Sequence, residues 1–469
     1  MKRIIYFAAI LVAAFCLCGS KPSSPVEVIP LKVEMQAVPI GSSGLSPRLS
    51  WQFGSKASGT MSSEDMSAVC KADGFAQGST NPESLIQKEF PHWKDGFMDI
   101  HSIATGQGDC TFIVLPDGTT WLIDAGDMGC PNGHNGWTGS IPDGSKHTGE
   151  WIKDYINHFS PRRDTIDYAL ITHFHSDHVG SKSGLIPGTH GYGLTGITMV
   201  GDIMHFNNFI DRDYPSYDFP SRDNIAKELP IFPEYRKFVS YLDSTGTKVQ
   251  KFKVGSNKQF VLKHNPKFYA DDFEVRNLCA NGEVWTGRGQ KSKKMYSGDP
   301  LLFDENMNSC GVLVTYGKFK YYNCGDLCGH NHSSYKSQER HFENEVADVC
   351  GPVTVIKNDH HGWKESTNAH FLQVLKPQAF VVMVSNLNHP YYTTMQRMID
   401  PLVYDGPREI YFTSDASKQQ LGDKLFSKVK PTGHIVIRVY PGGKSWQVFV
   451  LDPYSSDYKV KYVSELKQL

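Results

Sequence analysis

The stretch Thr172-His173-Phe174-His175-Ser176-Asp177-His178-Val179-Gly180 constrains this chain more than any other. It begins where Tyr168 to Thr172, a short apolar run that reads as a buried strand, comes to an end. His173 and His175 stand two apart, so at an extended strand end both imidazoles project to the same side. Asp177 and His178 follow where the chain turns toward a helix. Four ligand-type side chains thereby converge on one spot, and imidazole with carboxylate suits zinc, manganese or iron. Four such groups within six residues exceed what one tetrahedral ion with an open position needs, so two divalent metal ions are expected, zinc first among them.

The rest of the chain sets bounds on that centre. Its 469 residues, 39% of them hydrophobic, can bury a large core. With 48 basic against 49 acidic residues, no whole-chain basic footprint of the sort that tracks nucleic acid exists. Lys2 and Arg3 precede an apolar run from Ile4 to Cys18, short for a membrane span but suited to a secretory signal. Residues 1–20 are therefore expected to be a signal peptide, with Cys16 or Cys18 as candidate points of lipid anchoring in a bacterial lipoprotein. The mature chain is expected to be exported to the periplasm, the cell exterior or the outer membrane, without a transmembrane domain. Ten cysteines are present without a CxxC pair, which argues against a zinc ribbon; those after residue 20 read as buried free thiols.

Residues 21–96 are rich in Ser, Pro and Gly around one compact apolar piece, Ser46 to Phe53, and read as an N-terminal accessory region. From Met98 strands alternate with turns, and a helix over about 148–159 places Trp151, Ile152, Tyr155, Ile156 and Phe159 on one face. The main domain is expected over 97–455, with an irregular insertion at 181–250 and a C-terminal tail at 456–469. Two meandering β-rich halves, each with helices on its outer side, argue for an α/β fold, an αββα four-layer sandwich.

His-x-His-x-Asp-His after a strand is the signature of the metallo-β-lactamase superfamily. More narrowly, the chain resembles the hydrolase domain of bacterial DNA-uptake (competence) proteins and the related phosphorylcholine esterases. The pieces that carry this occur in order: Gly106-Gln107-Gly108-Asp109, Leu122-Ile123-Asp124-Ala125-Gly126, the His/Asp cluster, Cys324-Gly325-Asp326-Leu327, Asp359-His360-His361-Gly362 and Asn388-His389-Pro390. The resemblance implies that His173, His175, Asp177, His178, Asp326, His361 and His389 ligate metal, with Asp326 bridging both ions. Of His360 and His361, His361 is favoured as the ligand, leaving His360 to support a ligand or to contact phosphate. Asp124 would orient a ligand histidine or bound water. Asp177, His360 and Lys364 are the expected catalytic groups, the last two stabilising a developing oxyanion.

Three departures bear on the substrate. His173 and His175 are both present where the competence domains often lack the first histidines, Trp363 replaces the serine that usually follows His-His-Gly, and no channel accompanies the domain. The expected activity is hydrolysis of a phosphodiester, in a small molecule or polymer, by a metal-bound hydroxide. Nucleic acid stays open as a partner that charge does not support. The alternatives are a hydrolase of β-lactams, lactones or thioesters, and a non-catalytic binding protein on the same fold. His205, His134 and His147 read as ordinary surface histidines, and the aromatic stretch 214–241 as packing rather than a lid.

Overall fold

The structure, a computed structural model, describes residues 49–53, 57–61, 82–221, 223, 225, 229–295, 301, 303–328 and 342–469. The chain divides into two compact units, Met1–Gln77 and Gly78–Leu469. Of the first, Leu49–Phe53 and Ala57–Met61 are described, and they pair antiparallel. The expected signal segment 1–20 lies outside the described residues.

The second unit holds two large sheets. The first contains β1 (Met98–Ser102), β2 (Thr111–Val114), β3 (Thr120–Ile123), β4 (Thr165–Leu170), β5 (His205–Asp211) and β6 (Lys248–Lys251). The second contains β7 (Phe273–Ala280), β8 (Glu283–Trp285), β9 (Ser292–Lys294), β10 (Gly311–Tyr316), β11 (Phe319–Asn323), β12 (Val355–Lys357), β13 (Ala379–Val382) and β14 (Glu409–Phe412). The last strands, β15 (His434–Val439), β16 (Ser445–Leu451), β17 (Val460–Val463) and β18 (Lys467–Gln468), return to the first sheet. Its order is β6-β5-β4-β3-β2-β1-β15-β16-β17, with β18 also on β16; the second runs β9-β8-β7-β10-β11-β12-β13-β14.

Alternation along the strands builds the layers. Ile100, Trp121, Leu170, Ile437 and Val448 of the first sheet meet Val312, Val314, Tyr321, Val355 and Val381 of the second in one buried core. The opposite face of the second sheet, with Leu313, Tyr322, Ile356 and Phe380, packs in a separate cluster. On the outer face of the first sheet lies α1 (Thr148–Phe159), which buries Ile152, Tyr155, Ile156 and Phe159. Burying each such side chain stabilises by about 1.5–3 kcal/mol. After the four-residue α2 (Ser176–Val179) come α3 (Gly196–Ile203) and α4 (Phe232–Ser244). Helices α5 (Phe342–Cys350), α6 (Ala369–Leu375), α7 (Tyr392–Ile399) and α8 (Lys418–Phe426) cover the second sheet through Val346, Phe371, Met395 and Leu421. The expected αββα four-layer sandwich is what forms.

Three boundaries differ from the sequence expectation. Residues 82–96 belong to the sandwich unit: Phe90 is buried, 4.9 Å from Phe449 and beneath the Arg438 guanidinium at 4.2 Å. The segment 456–469 is not a free tail, because its strands pair with β16. The stretch 181–250 is not irregular, since α3 and α4 connect the parallel strands β4, β5 and β6. Its aromatic residues pack: the buried Tyr217 and Tyr235 hydroxyls donate to Asp211 at 2.7 and 2.8 Å. The described cysteines are free thiols, and all but Cys130 are buried. No helix among the described residues is long and apolar enough to cross a membrane.

Candidate metal centre

The strand ends of both sheets bring the charged residues together. Asp124 follows β3, His173 to His178 follow β4, Asp326 follows β11, His360 and His361 follow β12, and His389 lies beyond β13. Asp109 arrives on the loop between β1 and β2, and its N–H donates to the Asp177 carbonyl at 2.8 Å. That approach requires glycine: a Cβ on Gly108 would stand 2.2 Å from the Asp177 carbonyl oxygen, and one on Gly126 1.9 Å. The two glycine motifs therefore clamp the turn that carries Asp177 and His178.

Five histidines are anchored at Nδ1. His178 Nδ1–H donates to Asp124 Oδ2 at 2.8 Å, and Asp124 is itself fixed by the Thr172 N–H and hydroxyl at 2.8 and 2.7 Å. His361 Nδ1–H donates to the Met383 carbonyl at 2.9 Å, and His175 Nδ1–H to Asn306 Oδ1 at 2.7 Å. His173 Nδ1 faces the Thr172 hydroxyl at 3.2 Å, and His389 Nδ1 the Ser385 hydroxyl at 3.3 Å. A ring held at one nitrogen by a carboxylate, carbonyl or hydroxyl presents the lone pair of the other, the arrangement that metal-ligating histidines use.

The free nitrogens meet carboxylates. His178 Nε2 lies 3.1 Å from Asp326 Oδ1; His361 Nε2 lies 3.1 Å from Asp177 Oδ2 and 3.3 Å from Asp326 Oδ2. Asp326 thus stands between the two histidines with one oxygen toward each. His173 packs on His178 at 4.1 Å between ring centroids, and its Nε2 is 3.1 Å from His175 Nδ1. His389 stacks on His361 at 4.2 Å, nearly parallel. Asp109, His178, Asp326 and His361 also lie with one polar atom each within 4.8 Å of one another. Within that group Asp109 is turned to Lys357 at 2.5 Å, and the His361 nitrogen nearest it already serves Met383. Asp177 is therefore the better match to the free His361 nitrogen.

Electrostatics follow from burial and close packing. Burial works against charge on His178 and His361, but facing carboxylates, Asp326 foremost, outweigh it and hold both pKa values well above the ordinary imidazole value. Burial and neighbouring imidazoles push His173 and His389 well below it, so both are neutral. Burial also opposes ionisation of Asp326 and Asp177, yet His178 and His361 keep both carboxylates lowered and charged. The fit to a divalent ion shows at His178 Nε2 and Asp326 Oδ1, both buried and 3.1 Å apart. In the metal-free chain the charged ring satisfies that oxygen, and a cation would take the proton's place between two ready donors. The pocket is a buried His/Asp cluster of metal-binding composition.

The structure brings His173, His175, Asp177, His178, Asp326, His361, His389 and Asp124 together. His360 is adjacent: its Nε2 accepts from Asn306 Nδ2 at 3.2 Å, and its Nδ1 is without a partner. Lys364 is not brought in; its side chain is 46% exposed and 3.9 Å from Glu365. His134, His147 and His205 are exposed. Three residues were missed: Asp109, quoted only as part of a turn; Lys357, since a lysine in a short strand carries no signal; and Asn306. The capping pattern at Asp304, whose side chain accepts from Asn306 N–H, marks a turn but not its destination.

No protein-family profile matches the chain. It is 24% identical over 170 residues to Recombination protein 2 of Haemophilus influenzae, a match covering 34% of this chain and only 20% of that protein. Among solved structures, it aligns with CmlA, a diiron β-hydroxylase from Streptomyces venezuelae, at 14% identity and a TM-score of 0.30, over 62% of this chain and 45% of that one. The short form of human tRNase Z aligns at 12% identity and a TM-score of 0.28, over 60% of this chain and 91% of that one. By sequence the chain resembles a bacterial recombination protein over about a third of its length, and its own two-sheet architecture is an αββα four-layer sandwich.

Proposed function

We propose that the chain is an exported metal-dependent hydrolase that cleaves phosphodiester bonds. The observation that carries the reading is the set of five histidines tied at Nδ1, with His178 Nε2 buried against Asp326 Oδ1 at 3.1 Å. Asp177, His178, Asp326 and His361 would hold one divalent ion, and His173, His175 and His389 flank the place of a second, with Asp326 between them. Nitrogen and carboxylate donors suit zinc, with manganese or iron as substitutes. Bound ions supply Lewis acidity at phosphorus and make water a nucleophile near neutral pH.

The chain's own residues do the rest. Asp177 would accept a proton from the attacking water and pass it on to the departing alcohol. The His360 Nδ1–H, which has no partner, donates to the charged oxygen at the attacked phosphorus. Lys364, exposed on the same loop, draws the anionic substrate in. Charge balance favours a small or polymeric phosphodiester over nucleic acid. The test is metal analysis with a panel of bis-p-nitrophenyl phosphate, p-nitrophenyl phosphorylcholine, single-stranded DNA, nitrocefin and a lactone. Phosphodiester turnover with zinc or manganese, lost together with metal uptake in His175→Ala and His178→Ala, is expected. Metal content below one ion per chain with no substrate cleaved would refute the reading, and cleavage of nitrocefin or lactone alone would move the substrate class to carboxylic derivatives.

A further inference from the structure

Lys357 closes β12 between the two sheets with its side chain only 1% exposed. A lysine is almost never buried so fully unless its charge is matched. Its ammonium lies 2.5 Å from Asp109 Oδ2 and 3.3 Å from Asp326 Oδ1, and donates to the Gly325 carbonyl at 2.7 Å. Three donors meet three acceptors, so the ammonium is saturated. Those acceptors come from both halves of the sandwich: Asp109 from the first sheet's β1–β2 loop, Gly325 and Asp326 from the end of β11. Asp326 Oδ1 also faces His178 Nε2 at 3.1 Å. The lysine ammonium and the His178 ring thus approach the same carboxylate oxygen from two directions.

We propose that Lys357 is a resident cation of the metal centre, a positioning residue that neutralises Asp109 and sets Asp326 before any ion arrives. The proposal rests on the metal-centre reading above. Four buried carboxylates, Asp109, Asp124, Asp177 and Asp326, share this pocket. Even with His178 and His361 charged, these four carboxylates outnumber the two imidazolium rings in a low-dielectric interior until metal comes. With Lys357 in place the centre is preassembled. The same ammonium repels an incoming divalent ion, so the lysine trades metal affinity for a folded metal-free state.

Two outcomes follow for Lys357→Met in the full chain. Metal-free, its melting temperature falls by about 5 °C or more, because the buried Asp109 loses its ammonium partner. With zinc added, most of the loss returns, and zinc binds about tenfold or more tightly than to wild type in a chelator competition. The double variant Asp109→Asn/Lys357→Met, which removes the pair together, recovers metal-free stability, and it stands in for the single variant if that fails to fold. An equal loss with and without zinc, or weaker zinc binding by Lys357→Met, would reduce the lysine to a space-filling residue and overturn the proposal. Wild-type protein that takes up no ion would instead sink the metal-centre reading itself, which separates the two failures.

Discussion

Lowering the pH from neutrality to 5 is expected to remove about 2 kcal/mol of stability through His434 alone. His434 opens β15 with 4% of its surface exposed, and its Nδ1 accepts the Ala104 N–H at 3.0 Å. Its ring packs 4.4 Å from Tyr155, whose hydroxyl contacts His101 at 3.0 Å on the far side. Burial, then the neighbouring His101 and Lys461, push the His434 pKa down to about 3. The unfolded chain titrates near the usual 6.5, so it takes the proton first as pH falls. Stability from this group is therefore complete above about pH 6.5 and is lost progressively toward pH 3. At pH 5 the gap is about 1.5 units, and at about 1.36 kcal/mol per unit the loss is about 2 kcal/mol. The assay is urea unfolding followed by tryptophan fluorescence at pH 7.5 and 5.0, in wild type and His434→Asn. Asparagine keeps an acceptor for Ala104 but cannot titrate. Carboxylates and bound metal contribute to both proteins and cancel in the double difference. Wild type should lose about 2 kcal/mol more than the variant; equal losses would refute the reasoning.

Other perturbations report on the centre and its support. Asp124→Asn replaces the acceptor of the His178 Nδ1–H with an amide, and zinc affinity should fall by about 10–100-fold in chelator competition. Arg212 binds Glu305 through two nitrogens at 2.9 and 2.7 Å, and Glu305 in turn accepts the Phe174 N–H inside the His-x-His turn. Arg212→Met should cost about 3–5 kcal/mol in equilibrium unfolding, since Glu305 is left charged and buried. Adding Glu305→Gln should recover part of that loss; a double variant as unstable as the two single losses combined would show the residues act independently.

Much of the fold was legible because it is written in local periodicity. The helix expected at about 148–159 spans Thr148–Phe159, with the expected apolar residues Ile152, Tyr155, Ile156 and Phe159 buried. Where proline and aromatic residues interrupt the pattern, as around Tyr214 and Phe219, regular strands and helices on either side went unread. The pairing of β15 with β1, some 330 residues apart in the chain, leaves no local mark at all. It depends on which face of a distant strand is left uncovered.

By itself, the sequence determined that His173, His175, Asp177 and His178 share one spot, because six consecutive residues cannot lie far apart and a strand end sets their direction. It also determined two apolar-cored halves through alternation. Only the tertiary structure decided which imidazole nitrogen is free, that Asp326 stands between His178 and His361, and that Lys357 fills the gap beside Asp109. Those facts depend on distances between chain segments as far apart as Asp109 and Lys357, and only the packing of two sheets against each other sets such distances.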